Sequence, residues 1–346
     1  MYFATHKTCN LRCRYCYVPD YYRDSKSVDD NQVLDSFFLF LEKIKIEGYS
    51  IGNFCLHGSE PSLMRAETLA EIAYQMKEYY SLKNMNDHRV AIQSNGVKFD
   101  MAYLNTLSKE LEDIKDIKLG FSIDPPKPVH DFLRNYSYDK VIHNFNLAIE
   151  MGFPVSVLSV VSKTTMQHLS GFKEWMDYYL KLKMKYKNPY KIKIKFATGD
   201  MALDENDMQE FAYFLSKNNI LNIIQILSPG YCIQNGNNCD WYEFDIWGNC
   251  YSCNKAYTDQ GIFGNWKAES FVNILKKRKI LYINDFENQE CYECPYQFLC
   301  ESGCPIDRHK VGTMKGKAHE CTLIKIAYNE LEKNGIHITE FYNNNN

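Results

Sequence analysis

The chain has 346 residues, 45% hydrophobic and 24% charged, with 40 Lys and Arg against 43 Asp and Glu for a net charge of −3. This length is more than one hydrophobic core ordinarily organises, so a large domain plus a smaller one is expected. The near-neutral balance excludes a whole-protein field for nucleic acid or an anionic membrane as main partner, no apolar run is long enough to cross a bilayer, and no signal sequence opens the chain; a cytoplasmic protein is expected.

In chain order, short apolar strands are predicted at residues 1–5, 51–57, 88–95, 117–124, 153–161 and 190–197. Apolar residues at helical spacing fill 33–48, 67–80 and 139–152 between them. Six strands alternating with helices predict an α/β fold with a parallel sheet, doubly wound or curled into a partial barrel, and place ligands at the carboxyl ends of the strands. The motifs fall there: CNLRC follows strand one, HGSEP strand two, SNG strand three and SIDPP strand four. The lysine-rich stretch at 181–196 reads as a solvated helix end followed by a strand with alternating lysines, in preference to an RNA-binding patch. From about residue 228 the character shifts to Gly, Asn and Cys, with short periodic segments such as 268–281. The expected division is 1–225 for the α/β domain, 226–335 for a cysteine-rich domain, and 336–346 for a disordered polar tail.

Thirteen cysteines, an odd count, in a chain expected in a reducing compartment point to metal or cluster ligation before disulfides. Nine of them lie beyond residue 228. Cys9, Cys13 and Cys16 are spaced C-x3-C-x2-C on the loop after the first strand. One account is a zinc site with His6 as fourth ligand. The other is a 4Fe-4S cluster on three thiolates with one iron left open.

With aromatic Tyr17 next to the last cysteine, this spacing resembles the signature of radical S-adenosylmethionine (radical SAM) enzymes. The resemblance implies that SAM chelates the open iron and is cleaved to a 5'-deoxyadenosyl radical, which abstracts hydrogen from substrate. HGSEP resembles the family's Gly-Gly-Glu-Pro motif and implies Gly58, Ser59 and Glu60 near the methionyl ammonium. IQSNG resembles Gln-Thr-Asn-Gly and implies Ser94 and Asn95 as ribose or methionyl contacts. SIDPPKPVHDFLR resembles the family's fourth-strand motif and implies Ser122 and Arg134 as carboxylate partners, with Pro125 where glycine is usual.

The later cysteines resemble the SPASM domain appended to many radical SAM enzymes, with Gly248 as its motif glycine. By analogy with the anaerobic sulfatase-maturating enzymes, Cys232, Cys239, Cys253 and Cys304 are implied to hold one auxiliary 4Fe-4S cluster. Cys291, Cys294, Cys300 and Cys321 are implied to hold another, for three clusters in all. Cys55 then reads as a core thiol, and Cys250 as structural or as a substrate contact or substitute ligand. Overall the resemblance implies a partial (β/α)6 barrel with a SPASM cap.

The maturases carry an aspartate base immediately after the cysteine matching Cys253; Asn254 stands there and has no basic atom. Formylglycine chemistry would need another base, with Asp240, Asp245 and Tyr257 as candidates. With eight residues before Cys9, a leader-binding domain ahead of the barrel is not expected, and residues 17–26 are expected to be either a mouth-lining loop or a solvated linker. The expected function is oxidative modification of a peptide or protein residue, electrons passing to auxiliary clusters and an external donor such as flavodoxin or ferredoxin. The alternatives are a radical SAM dehydrogenase or epimerase of a small molecule such as an aminocyclitol or sugar, and a zinc-binding interaction module.

Overall fold

The computed structural model describes residues 1–18, 28–85, 87–188, 190, 192–221, 239–257, 259–283, 289–304, 306, 318–333 and 335. The expected loop beyond residue 18, Cys232 and the tail 336–346 lie outside the described residues. Strand β1 (Tyr2–Ala4) leads through the cysteine loop to α1 (Asp30–Ile46), β2 (Phe54–His57), α2 (Ala66–Leu82), β3 (Val90–Ser94) and α3 (Met101–Glu110). Then come β4 (Ile117–Ser122), α4 (Lys127–Leu133), α5 (Tyr138–Glu150), β5 (Val155–Val161), α6 (Lys163–Met166), α7 (Leu169–Lys185), β6 (Lys193–Phe196) and α8 (Glu205–Lys217). The remaining elements are β7 (Glu243–Asp245), β8 (Asn249–Tyr251), β9 (Ile262–Asn265), α9 (Phe271–Ile283), α10 (Gln289–Tyr292), α11 (Gln297–Cys300) and α12 (Cys321–Lys333).

The chain divides into two compact units, the first formed by 1–158, 181–190 and 241–278, the second by 159–180, 191–240 and 279–346. In the first, β1 to β5 pair in parallel with each successive neighbour. This is the βαβ arrangement expected from the alternating pattern. On its other edge β1 pairs in parallel with β7, and the antiparallel strands β8 and β9 follow. Period-two alternation divides β1: Phe3 packs against Phe37, Phe40 and Phe54 under the helices, while Tyr2 contacts His57 on the other face. Phe40 also meets Phe244, Trp266 and Phe271, so the helix-side core continues under β7 and β9. Each such fully buried ring stabilises the fold by roughly 1.5–3 kcal/mol.

The first two helices start together. Asp29 caps α1, accepting from the Gln32 amide, and Asp30 Oδ2 accepts from the amide and Nε of Arg65 and from Thr68 Oγ1 at the start of α2. In the second unit α8 packs against α12, burying Phe211 and Leu215 against a side that carries Leu323, Ala327 and Leu331. Among the described residues no helix is long and apolar enough to cross a membrane.

Candidate active site and cofactor-binding residues

The loop after β1 is stitched to the end of α4. The Arg12 amide donates to Asn135 Oδ1 at 2.9 Å, and the Arg14 amide to the Leu133 carbonyl at 3.0 Å. The Arg14 guanidinium lies over the Phe132 ring, and its Nε donates to the Phe132 carbonyl. A turn brings the Cys16 amide to the Cys13 carbonyl at 3.1 Å. Cys9 lies within electrostatic reach of Cys13 and Cys16, and burial, followed by the nearby Glu60 charge, pushes its thiol up to about 12. Arg134 Nη1 donates to Cys13 Sγ at 3.7 Å. The front thiols therefore share one basin with Glu60 and Arg134 around it.

Glu60 is 2% exposed. Its Oε1 accepts from the Ser62 amide and from the hydroxyls of Ser62 and Ser94, both at 2.6 Å; Oε2 accepts from the Asn95 amide at 2.7 Å. Burial raises its carboxyl pKa against these four bonds, which pull it down. Glu60 thus locks the end of β2 to the end of β3, and it holds Ser94 and Asn95 in place. Asn95 Nδ2 in turn donates to Asn10 Oδ1 in the cysteine loop at 2.7 Å.

Gly58 precedes this nest at φ +107, where a Cβ would lie 2.7 Å from the Ala4 Cβ. Only glycine allows β1 and the β2 loop to approach this closely. Ser59 follows, and its buried hydroxyl has no hydrogen-bond partner among the described residues. An orphaned buried hydroxyl beside a bare glycine backbone suits a polar ligand.

Arg134 is held at the other side. Its Nε donates to Asp124 Oδ2 at 2.6 Å in a buried ion pair, and the Tyr15 hydroxyl donates to the same oxygen. The Asp124 amide donates to His130 Nδ1, and the Ser137 hydroxyl donates to the Arg134 carbonyl, so His130 Nε2 is the ring's donor to Ser137 Oγ. Burial lowers the His130 pKa to about 4, which keeps the ring neutral. Ser122, expected beside Arg134, accepts from Gln93 Nε2 at 3.0 Å. Sequence reasoning quoted the motif containing Asp124 and His130 without assigning them a role, and it missed Tyr15. Asp124 placed two residues after the strand-four serine, within reach of an arginine ten residues on, was the available signal.

Tyr17 lies at the hinge of this basin. Its hydroxyl is 3.3 Å from His57 Nδ1 with the rings stacked, and burial raises its pKa well above the usual phenol value. With Cys16 it packs on Ala4, Val18, Tyr251 and Tyr257.

In the second unit Cys291, Cys294, Cys300 and Cys321 line one small cavity of about 30 Å³, together with Tyr296 and Ala318. Short helices α10 and α11 arrange them: the Cys294 amide bonds the Cys291 carbonyl, and the Gly303 amide bonds the Cys300 carbonyl. Burial raises the Cys300 pKa, with the charges of Cys294 and Cys291 adding to it. Of the other expected set, Cys239 and Cys304 belong to the second unit, Cys253 to the first, and Cys232 lies outside the described residues. Among the described residues no three His, Cys, Asp or Glu side chains stand in metal-ligating geometry. The fit to iron–sulfur ligation therefore rests on donor chemistry, three thiols in one basin and four around one cavity.

Of the other groups considered, Asp245 is fully engaged: Oδ1 accepts from the amides of Trp247 and Asn249, and Oδ2 from Asn249 Nδ2 and the Tyr251 hydroxyl. Gly248, at φ +104, makes that hairpin turn. Asp240 is exposed and Tyr257 buried. Cys250 pairs with Phe244 and is fully buried, on the helix side of the sheet, and burial raises its pKa. Cys55 is buried in β2.

The family described as Radical SAM superfamily matches residues 4–176, half of the chain. Among solved structures, the anaerobic sulfatase-maturating enzyme anSMEcpe with bound AdoMet superposes with a TM-score of 0.75 at 19% identity, covering 99% of both chains. The same enzyme with AdoMet and a Kp18Cys peptide gives 0.72 at 18% identity over 99% of this chain and 100% of that one. Streptococcus suis SuiB bound to its precursor peptide SuiA gives 0.63 at 11% identity, over 92% of this chain and 74% of that one. Two curated relatives are uncharacterized proteins: one from Archaeoglobus fulgidus, 24% identical over 51% of this chain, and one from Synechocystis, 27% identical over 36%. The aligned parts span 38% and 29% of those relatives' lengths.

Proposed function

The chain belongs to the radical SAM superfamily, and from that premise we propose that it is an oxidoreductase that modifies a residue of a peptide or protein. The observation that carries this reading is the gathering of Cys9, Cys13 and Cys16 with Glu60 and Arg134 at the carboxyl ends of the strands. Bound there, a 4Fe-4S cluster with SAM supplies the 5'-deoxyadenosyl radical that takes a hydrogen atom from substrate. The chain's own residues do the rest. Gly58 and Ser59 offer a bare backbone and a hydroxyl without a partner among the described residues to the methionyl ammonium, Ser94 and Asn95 contact the ribose or methionyl part, and Tyr17 closes the side of the basin. Arg134, oriented by Asp124, and Ser122 take the carboxylate.

That anSMEcpe and SuiB are solved with peptides supports a peptide substrate. The cavity lined by Cys291, Cys294, Cys300 and Cys321 supports a fully ligated auxiliary cluster, suited to taking the electron that an oxidised substrate must lose. Residues 1–225 then form the SAM-binding domain and 226–335 the auxiliary-cluster domain, in a cytoplasmic enzyme served by a flavodoxin- or ferredoxin-type donor.

The test uses anaerobically reconstituted protein with reductant, SAM and candidate peptides. Wild type is expected to carry near twelve irons, release 5'-deoxyadenosine and change the peptide's mass. Cys13→Ala is expected to release none, and Cys294→Ala to release it without altering the peptide. Wild-type 5'-deoxyadenosine release from Cys13→Ala sinks the front-site assignment; zinc in place of iron sinks the function.

A further inference from the structure

Glu243 stands on β7, opposite Tyr2 of β1 and Tyr251 of β8. Alternation along the strands puts its side chain on the face that carries Ala4, Cys55, His57 and Asp245, away from the phenylalanine core under the helices. The side chain is fully buried, and neither carboxyl oxygen has a hydrogen-bond partner among the described residues. A Cβ added to Gly58 would lie 3.6 Å from its Oε1, so the carboxyl borders the bare backbone at the front of the basin. Tyr17 is close enough to feel its charge. Among the described residues, the titratable groups on its face of the strands and the one close enough to feel its charge are Tyr2, Cys55, His57, Asp245, Tyr251 and Tyr17, none of them a lysine or arginine. A buried carboxyl with no hydrogen-bond partner among the described residues is costly, and such a group bordering a ligand basin is a candidate for chemistry.

We propose that Glu243 takes the proton that the substrate loses in its oxidation, the task for which Asn254 has no basic atom. This rests on the oxidative peptide-modifying function. The substrate carbon bearing an X–H group, with X sulfur, oxygen or nitrogen, gives its hydrogen atom to the 5'-deoxyadenosyl carbon, forming 5'-deoxyadenosine. The carbon radical then releases one electron to an iron–sulfur acceptor while the X–H proton passes to the Glu243 carboxylate, leaving a C=X bond. One hydrogen atom, one electron and one proton leave, a two-electron oxidation. Glu243 is suited to this because Asp245 beside it already accepts four hydrogen bonds. Burial, with Asp245 adding to it, raises the Glu243 pKa well above the usual carboxylate value, so its carboxylate is more basic than an exposed one.

The experiment compares wild type and Glu243→Gln, both with clusters reconstituted, on a peptide that wild type modifies. Glu243→Gln is expected to keep releasing 5'-deoxyadenosine while modified peptide falls about a hundredfold or more. The wild-type product rate is expected to rise with pH as the carboxyl ionises, and the residual rate of the variant to be flat. Equal product rates with the same pH profile overturn the role of Glu243 and leave the function standing. A wild type that releases 5'-deoxyadenosine but alters no peptide overturns the function and, with it, this role.

A second measurement needs no cluster. A carboxyl whose folded pKa is raised loses stability as pH rises above its ordinary value of 4.5, and glutamine does not. The melting temperature of Glu243→Gln, relative to wild type, is therefore expected to climb from about pH 5 to about pH 8. A difference that is constant or falls with pH shows a carboxylate ionised against a partner, and overturns the proposal.

Discussion

The cysteines near the two ends of the chain are held in opposite ways. Those at the front hang from a parallel sheet. Their loop is bonded to the end of α4 through Arg12 and Arg14, and around them Glu60 accepts four hydrogen bonds and Arg134 pairs with buried Asp124. Of the cysteines around the second-unit cavity, Cys291 and Cys300 ride on α10 and α11, four residues each and too short to be stable alone, Cys294 lies between them, and Cys321 opens the longer α12. Between Cys300 and Cys304 the chain passes through Glu301, Ser302 and Gly303, all at positive φ, a conformation that costs energy for the two that are not glycine. The front site is tied down by these protein contacts, whereas a second set with fewer of them is expected to gain more of its order from a bound ligand.

Removing iron is the strongest way to break that comparison. Chelation is expected to lower hydrogen-exchange protection of the amides in 289–304 by about a hundredfold or more, and that of β2 to β4 by less than about tenfold. Equal losses in both would show that the front site is no better preorganised than the other. Next in size is Gly58→Ala, which meets both the positive φ and the Ala4 contact. Because neither the Ala4 Cβ nor the backbone behind it can rotate away, a loss of about 3–5 kcal/mol is expected from denaturant unfolding of the cluster-free chain. A loss under about 1 kcal/mol would mean that β1 and the β2 loop are not tightly apposed.

The smallest expected effect sharpens the front site's electrostatics. His130, lowered to about 4 in the fold, binds its proton less readily there than in the unfolded chain, where 6.5 is usual. Its contribution is complete above about pH 6.5 and is lost as pH falls toward 4, roughly 3 kcal/mol in all. His130→Gln is expected to flatten that part of the stability–pH curve; an unchanged slope there would remove His130 as its cause.

The alternating strands and helices were legible because apolar residues recur at periods of two and 3.6, and β1 to β6 fall where that pattern puts them. The helices α3 and α8 and the strands β7 to β9 were not anticipated. In β7 the sequence EFD alternates as a strand with acids facing water, yet Glu243 and Asp245 are buried. Pairing with β1 turned the polar face of β7 inward, toward Ala4 and Tyr17. Spacing identified the cysteines and the motifs at strand ends, since local chain geometry is what those motifs encode. It left the partners of Arg134 open: the guanidinium expected at a ligand carboxylate is first oriented by Asp124, ten residues away in sequence.

By itself the sequence determined the superfamily and the succession of parallel strands and helices along the chain, because each is a matter of residue type at short separation. Tertiary structure alone decided which polar groups are spent and which are unspent. Asp245 and Glu243 differ by two positions on one strand, but hairpin geometry satisfies every oxygen of the first, and folding leaves the second buried beside Gly58 with no hydrogen-bond partner among the described residues. Hydrogen-bond satisfaction depends on contacts among β1, β2, β7 and β8, which are far apart in the chain, and no local pattern carries that information.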